Sequence, residues 1–318
     1  MKTQEKPGNG KKVEIIGAPL GYGAGTPGSE LGVEAMRLAS LRGSRLIDAI
    51  RDLGYEAVDR GNVPVVYPEK PAGPEDNPKY LSEVADTCGN IAEAVRSSMT
   101  NGSIPVILGG DHTIAIGSVT GIASYFRERS EDFGLIWFDA HADINTPETS
   151  ASGNIHGMPL AAILGRGHEK LVGLGGFSPK LDGRFFAHVG ARDLDNGEKR
   201  CIRDLALRDN FFTMSDIDKR GMLDCVNDAI AIASQASGGF AVTFDVDMID
   251  PRFAPGSGTL VRGGATYREA HLALEVIAEH GGMRSFEIVE VNPMLDQSNI
   301  TVELGCELIL SALGKTIL

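Results

Sequence analysis

The sequence predicts an α/β fold: a three-layer αβα arrangement with a central, mostly parallel β-sheet. Short apolar runs alternate along the chain with longer segments of helical periodicity, and such alternation is typical of parallel sheets covered by helices on both faces. Polar clusters follow directly after several of the apolar runs. In open parallel sheets ligands bind outside the carboxyl ends of the strands. We therefore expect a functional site at that edge.

Length and composition are those of a globular protein with a large core. The chain has 318 residues, of which 42% are hydrophobic and 23% are charged. No linker, repeat or low-complexity segment divides it, so residues 13–318 are expected to form a single domain. Residues 1–12 are polar and contain Gly and Pro, which predicts a disordered tail. This segment has no apolar region like that of a signal peptide.

The net charge of −13 limits the kinds of binding partner that we expect. Such a charge argues against nucleic acid or an anionic membrane and fits a cationic small molecule or metal ions. No apolar stretch approaches the length of a transmembrane helix. The four cysteines are widely spaced and form no C-x-x-C pair. We expect them to be reduced core thiols in a cytoplasmic protein.

In the first half of the chain, apolar runs predict strands at residues 12–16, 56–58, 104–108 and 133–138. Helical spacing predicts helices at residues 29–41, 45–53, 80–99 and 113–126. The helix at 80–99 has the clearest amphipathic pattern. A Pro-rich loop at residues 63–78 precedes it.

In the second half, strands are expected at residues 184–191, 211–214, 239–247 and 285–291. Helices are expected at residues 158–164, 198–207, 216–234, 266–280 and 300–313. Gly281 and Gly282 end the helix at 266–280. Each strand is separated from the next by at least one helix, which favours parallel pairing.

Residues 23–28 match the G-x-G-x-x-G pattern of dinucleotide-binding loops. The preceding strand ends several residues earlier, with Pro19 between, so the turn is not tight. Asp48 lies where a ribose-binding acid is expected, but it falls inside a helical segment rather than at a strand end. A flexible loop at the rim of a site is the better interpretation.

A cluster of metal-ligand type follows the strand at 133–138. Asp139, His141 and Asp143 are spaced by two, and extended backbone directs alternate side chains to one face. Two carboxylates and an imidazole that converge there suit a divalent cation. The alternative for this motif alone is an acidic loop with one solvated His.

Two other strand ends add residues of the same kind. Asp245 and Asp247 end the strand at 239–247, and Asp111 and His112 follow the strand at 104–108. Without Asp111, the strand ends supply four carboxylates and two imidazoles, too many for one tetrahedral structural zinc site. The set suits two metals that share bridging carboxylates. Asp111 is a further candidate, as a group that orients a ligand.

Carboxylate-rich ligation with some imidazole favours Mn²⁺ over zinc. Two such ions lower the pKa of a shared water from about 15.7 toward neutrality, which produces a hydroxide for attack on a planar electrophilic carbon. The sequence has no G-x-S-x-G motif that would indicate a serine nucleophile. These features predict hydrolysis without a covalent intermediate.

Five segments carry a family resemblance: GGDH at 109–112, DAHADINTP at 139–147, SGNIHGMP at 152–159, FDVDMIDP at 244–251 and EVNP at 290–293. They resemble the ureohydrolase superfamily, from about residue 13 to the C-terminus. Within it, the loop with Asn145 and Ser152 is most similar to that of the arginases. The resemblance implies an arginase/deacetylase-like fold, two Mn²⁺ per subunit, hydrolysis of L-arginine to L-ornithine and urea, and a homo-oligomer, a trimer or a hexamer.

The resemblance also implies the role of each site residue. One manganese takes His112, Asp139, Asp143 and Asp245, and the other takes His141, Asp139, Asp245 and Asp247, so that Asp139 and Asp245 bridge. Catalytic roles fall to Asp143, to His156 as a proton shuttle, and to Glu290 as the carboxylate that binds the guanidinium. Substrate contacts fall to Asn145 and Ser152 at the α-carboxylate, Asp195 and Glu198 at the α-ammonium, and Thr259 in the guanidinium pocket.

Two other functions remain open from the sequence. The same chemistry on agmatine or another guanidino compound requires only a different loop around Asn145 and Ser152. A catalytically inactive metal-binding relative is the other alternative. Every metal-ligand position of the motif is filled in this chain, which disfavours the inactive form.

Overall fold

The computed structural model describes residues 6–73 and 75–317. The predicted α/β class is confirmed, and the sheet is entirely parallel. Its eight strands are β1 Lys12–Ala18, β2 Glu56–Asn62, β3 Ser103–Gly109, β4 Gly134–Phe138, β5 Phe186–Val189, β6 Phe211–Phe212, β7 Phe240–Asp245 and β8 Met283–Val289. They lie in the order β2-β1-β3-β8-β7-β4-β5-β6.

Helices cover both faces of this sheet. They are α1 Gly32–Leu38, α2 Leu46–Asp52, α3 Leu81–Thr100, α4 Ala115–Arg127, α5 Pro159–Ile163, α6 Glu169–Val172, α7 Asn196–Asp204, α8 Met214–Arg220, α9 Met222–Ala233, α10 Tyr267–His280 and α11 Ile300–Ala312. Side chains of α1, α2 and α8 to α11 pack into the hydrophobic core on one face. Side chains of α3, α4, α5 and α7 pack into the core on the other. Among the described residues, every helix is too short or too polar to cross a bilayer.

The central strands explain why the site residues meet. β3, β8, β7, β4 and β5 are consecutive neighbours in the sheet. Four of them carry candidate residues at their carboxyl ends: His112 after β3, Glu290 after β8, Asp245 and Asp247 at β7, and Asp139 after β4. Because the strands are parallel, all these residues lie at the same edge.

One predicted helix is wrong. Residues 216–234 form two helices, α8 and α9, separated by Gly221, which has φ 85° and ψ 155°. This backbone conformation is almost exclusive to Gly and cannot continue a helix. Thr213 and Asp216 form a capping box at the start of α8, so the helix begins at Met214, where a strand was predicted.

The predicted tail is also too long. Gly8 N donates to Leu53 O at 3.0 Å, Gly10 N donates to Gly54 O at 3.0 Å, and Lys12 already belongs to β1. Residues 6–11 therefore form a turn held against the α2–β2 connection. Residues 1–5 of the predicted tail lie outside the described part of the chain.

Candidate metal centre

His112 and three carboxylates surround one point at the edge of the sheet. Nδ1 of His112 lies 3.1 Å from Asp139 Oδ2, 3.1 Å from Asp143 Oδ2 and 3.3 Å from Asp245 Oδ2. All four residues are buried. They are the set that the resemblance implies for one metal.

His141 is the centre of a second group. Its Nδ1 lies 3.4 Å from Asp139 Oδ1 and 3.1 Å from Asp247 Oδ2. Asp139 thus directs one carboxylate oxygen to each imidazole, as a bridging ligand does. Asp245 Oδ1 accepts a hydrogen bond from Asp247 N, while its Oδ2 faces His112.

These residues fit divalent cations in chemistry and in geometry. Imidazole nitrogen and carboxylate oxygen are the ligands expected for Mn²⁺-type ions. Such atoms lie within 4.8 Å of one another in two sets, His112 with Asp139 and Asp143, and His141 with Asp139 and Asp247. Nδ1 of His112 is fully buried, yet it has no hydrogen-bond partner among the described residues. A buried polar atom without a partner costs free energy, and a bound cation removes that cost.

The electrostatics of the cluster also favour cations. Burial and the charge of Asp139 raise the pKa of Asp143 to about 6. Burial and the charges of Asp247 and Asp139 raise the pKa of Asp245 as well. Burial opposes protonation of His112, but the nearby carboxylates of Asp139, Asp143 and Asp245 raise its pKa well above the usual value. The crowded carboxylates therefore compete for protons, and two divalent ions neutralise them more effectively.

A second layer of residues, which the sequence analysis missed, orients the ligands. Trp137 Nε1 donates to Asp139 Oδ2 at 3.0 Å. Nε2 of His112 lies 3.0 Å from Thr243 Oγ1, which donates to the buried Glu287 Oε1 at 2.8 Å. Such contacts fix the ring orientation of a metal-binding His. The available signals were the alternation of Thr243 with Asp245 on β7 and a charged Glu287 within an apolar strand.

Asp111 does not join the cluster. Its Oδ1 accepts from Thr113 N at 2.9 Å and its Oδ2 accepts from Ala24 N at 3.0 Å. The side chain thereby fastens the 23–28 loop to the turn that carries His112. The turn requires Gly110, because a Cβ there would lie 1.8 Å from Leu20 O.

Glu290 and His156 form a pair beside the first group. Glu290 Oε1 lies 3.3 Å from Nδ1 of His156 and accepts from His112 N at 3.1 Å. Burial lowers the pKa of His156, but the hydrogen bond and charge of Glu290 outweigh it and raise that pKa to about 9. Glu290 has φ 64° and Asp143 has φ 52°. Such strained backbone in non-Gly residues is concentrated at functional sites.

The candidate substrate residues form a connected network. Asn145 Nδ2 donates to Asp195 Oδ2 at 2.7 Å, and Asn145 Oδ1 accepts from Thr149 Oγ1 at 2.7 Å. Asp195 and Glu198 form a capping box at the start of α7. Glu198 Oε1 also accepts from Ala142 N at 3.2 Å, and Ala142 lies in the chain between His141 and Asp143. The capping box therefore anchors α7 to the metal-ligand loop.

A cavity of about 260 Å³ joins these parts. Its lining is His141, Asp143, Asn145, Ser152, His156, Gly157, Asp193, Asp195, Glu198, Asp245 and Thr259. Thr259 Oγ1 donates to Asp247 Oδ2 at 2.9 Å, so it also orients a metal ligand. Asp193 and Gly157 also line the cavity, although their sequence context gave no sign of it. Glu290 lies next to this cavity through its contact with His156.

Comparison with known proteins agrees with this geometry. Residues 11–314 match the model of the arginase family. Arginase from Brevibacillus brevis is 41% identical over 308 residues, which cover 97% of this chain and 99% of that protein. Arginase from Bacillus caldovelox is 41% identical over 97% of this chain and 100% of that protein. The solved structure of the Bacillus caldovelox enzyme superposes with a TM-score of 0.90 at 40% identity, covering 97% of this chain and 100% of that one.

The agreement extends over the sequence and the fold of nearly the whole chain, and the matched range includes the strand ends that carry the His and Asp groups. This chain belongs to the arginase family.

Proposed function

We propose that the protein is an arginase that hydrolyses L-arginine to L-ornithine and urea with two Mn²⁺ per subunit. Arginases are binuclear-metal hydrolases that act on the guanidino C–N bond. The observation that carries the proposal is the position of Asp139 between the two imidazoles, with one oxygen 3.1 Å from His112 and the other 3.4 Å from His141. This arrangement supports a two-metal site that Asp139 would join on both sides, and the resemblance implies that Asp245 would be shared as well.

Two divalent ions held by these His and Asp residues would activate water as the nucleophile near neutral pH. The protein's residues then position the substrate and move protons. Glu290 receives the guanidinium, for which a carboxylate is a matched planar partner. Asp143, whose side chain lines the cavity, is placed to pass a proton to the leaving amine. His156, held as a cation by Glu290, protonates the leaving amine.

The other end of the cavity suits an amino-acid head group. Ser152 Oγ accepts from Asn154 N at 3.2 Å, which leaves its O–H to donate to an α-carboxylate. Asn145 reaches the same end of the cavity. Asp195 faces it from α7 and provides a carboxylate for the α-ammonium, with Glu198 behind it. Thr259 keeps Asp247 in place beside the guanidinium pocket.

The proposal includes a cytoplasmic location and a homo-oligomer, a trimer or a hexamer. All four cysteines are free and buried, which fits a reducing compartment. Sedimentation equilibrium of the purified protein measures the oligomer. A monomer at micromolar concentration would contradict this part of the proposal.

The first test is release of urea from L-arginine and, in parallel, from agmatine. The protein is assayed after incubation with Mn²⁺ and after chelation. We expect manganese-dependent urea from L-arginine and a far lower kcat/KM for agmatine, because agmatine has no α-carboxylate for Asn145 and Ser152. Equal or preferential hydrolysis of agmatine would overturn the substrate assignment but keep the metal site. No urea from either compound at any metal loading would overturn the proposed function.

A further inference from the structure

A lysine outside the metal-ligand loops touches the loop that surrounds the candidate carboxylate site. We propose that Lys79 determines specificity by favouring substrates with a free carboxylate over those without one. This inference rests on the proposed function, since it concerns the head group of the same substrate. Lys79 acts through its positive charge and through the loop that it holds.

The contact between Lys79 and the loop at residues 147–154 is made at two points. Lys79 N donates to Gly153 O at 2.9 Å, and Lys79 Nζ donates to Asn154 Oδ1 at 2.9 Å. Two residues earlier, Asn77 Nδ2 donates to Pro147 O at 2.6 Å. Residues 77–79 therefore pair with both ends of this loop. Backbone and side chain of Lys79 are thus both fixed relative to it.

From Lys79 the hydrogen bonds continue into the cavity. Asn154, which accepts from Nζ, donates its backbone N–H to Ser152 Oγ at 3.2 Å. Ser152 lines the cavity. The ammonium is therefore separated from the candidate carboxylate site by one residue, without occupying it.

The charge of Lys79 is not used by another protein group. Its Nζ donates to a neutral amide oxygen, and no ion pair with this lysine occurs among the described residues. The side chain is half-buried, so solvent screens its charge less than that of a fully exposed lysine. This charge is available to attract an anionic group bound at Ser152, to which Lys79 is connected through Asn154.

The acidic wall of the cavity disfavours a carboxylate substrate, and a nearby cation counteracts that effect. Five of its lining residues are acidic: Asp143, Asp193, Asp195, Glu198 and Asp245. Although bound metals neutralise the floor, Asp193, Asp195 and Glu198 belong to the amino-acid end. Carboxylates there attract a diamine or agmatine and repel an α-carboxylate. Lys79 offsets that repulsion only for ligands that carry a carboxylate.

The test compares ligands that differ in the carboxylate. For wild type, Lys79→Met and Lys79→Arg, kcat and KM are measured with L-arginine, together with inhibition constants for L-ornithine and 1,4-diaminobutane. Lys170→Met is the matched control, because Lys170 Nζ also donates to a side-chain oxygen, Ser82 Oγ at 3.0 Å, on α3.

We expect Lys79→Met to raise KM for L-arginine and the inhibition constant for L-ornithine about fivefold, the size of a partly screened charge interaction. The value of kcat and the inhibition constant for 1,4-diaminobutane should stay within about twofold of wild type. The Lys79→Arg and Lys170→Met variants should resemble wild type.

A purely structural role gives a different result. If Lys79→Met weakens L-ornithine and 1,4-diaminobutane equally, or leaves both unchanged, the inference is wrong. Loss of kcat with unchanged KM would also contradict it. Failure of the wild-type protein to hydrolyse L-arginine is a separate outcome that refutes the proposed function itself.

Discussion

Asp139 is the residue that makes the two groups of ligands one centre. Its Oδ2 faces His112 and accepts from Trp137 Nε1 at 3.0 Å, while its Oδ1 faces His141 and accepts the backbone N–H of His141 at 2.7 Å. The indole and the backbone therefore fix the plane of the carboxylate before any ion binds. A ligand oriented in advance loses little entropy on binding a cation.

Asp143 and Asp247 each belong to one group only, so their removal should affect the metals separately. We expect Asp143→Ala and Asp247→Ala to abolish manganese-dependent urea release, with a loss of about 10³-fold or more, because each removes a carboxylate from one ion. Neither variant should unfold. Burial and the charge of Asp139 raise the pKa of both carboxyls, so removing either one relieves repulsion in the metal-free protein.

Circular dichroism and metal content per subunit check this prediction beside the activity. Asp228→Ala is the control, since Asp228 lies on α9 in a surface ion pair with Arg220. It should retain wild-type activity and two ions per subunit. Wild-type turnover in Asp143→Ala or Asp247→Ala would refute the assignment of these residues.

Gly221 ends α8 and separates it from α9. A Cβ on Gly221 would meet no atom within 4 Å, so any cost of replacing it comes from the backbone alone. We expect Gly221→Ala to lower the free energy of unfolding by about 1–3 kcal/mol, measured by urea denaturation. Activity should not change, because Gly221 is outside the site.

Gly89 provides the opposite control. It lies inside α3, where an added Cβ again meets no atom within 4 Å and where the backbone is helical. Gly89→Ala should therefore raise the free energy of unfolding, by up to about 1 kcal/mol. Equal effects of the two substitutions would show that backbone conformation does not determine the break.

Apolar runs and the residues that follow them predicted the strands of this fold well, because burial on both faces of a parallel sheet requires continuous apolar sequence. The metal-ligand candidates came from the same logic. Contacts between distant segments were not predictable. Nothing near Lys79 in the sequence indicates that it reaches Asn154, and Glu287 showed only as a charge in an apolar strand. Such contacts depend on tertiary packing, whose partners a single sequence does not specify.

A group of negatively charged side chains is buried at one edge of the sheet. The chain carries a net charge of −13, and Asp139, Asp143, Asp245 and Asp247 are buried together there. Burying like charges destabilises a fold unless protons or cations compensate them. The structure of this site therefore links metal binding to the stability of the entire domain.

Removal of the metals should consequently lower the melting temperature, and added Mn²⁺ should restore it. At a free ion concentration of 100 times Kd, each site stabilises the fold by about 2.7 kcal/mol. Scanning calorimetry of the chelated and reloaded protein measures the difference. A melting temperature that does not depend on Mn²⁺ would contradict a preformed binuclear site.

The stabilisation of the fold by Mn²⁺ should also depend on pH, and the pKa of Asp143 determines whether it rises or falls with pH. Its folded pKa of about 6 lies above its usual value, so the folded metal-free protein retains a proton that the unfolded chain has lost. Stability of the metal-free form therefore falls as pH rises from about 4 through 6. His112 acts in the same direction, because its raised pKa gives a stabilising charge that is lost as pH rises through that pKa. Cations replace these protons, so the stabilisation by Mn²⁺ should increase with pH over this range, and in Asp143→Ala the increase should be smaller. If the melting temperatures of the chelated and the Mn²⁺-loaded protein differ by the same amount from pH 4 to pH 7, these carboxyls do not exchange protons for metal.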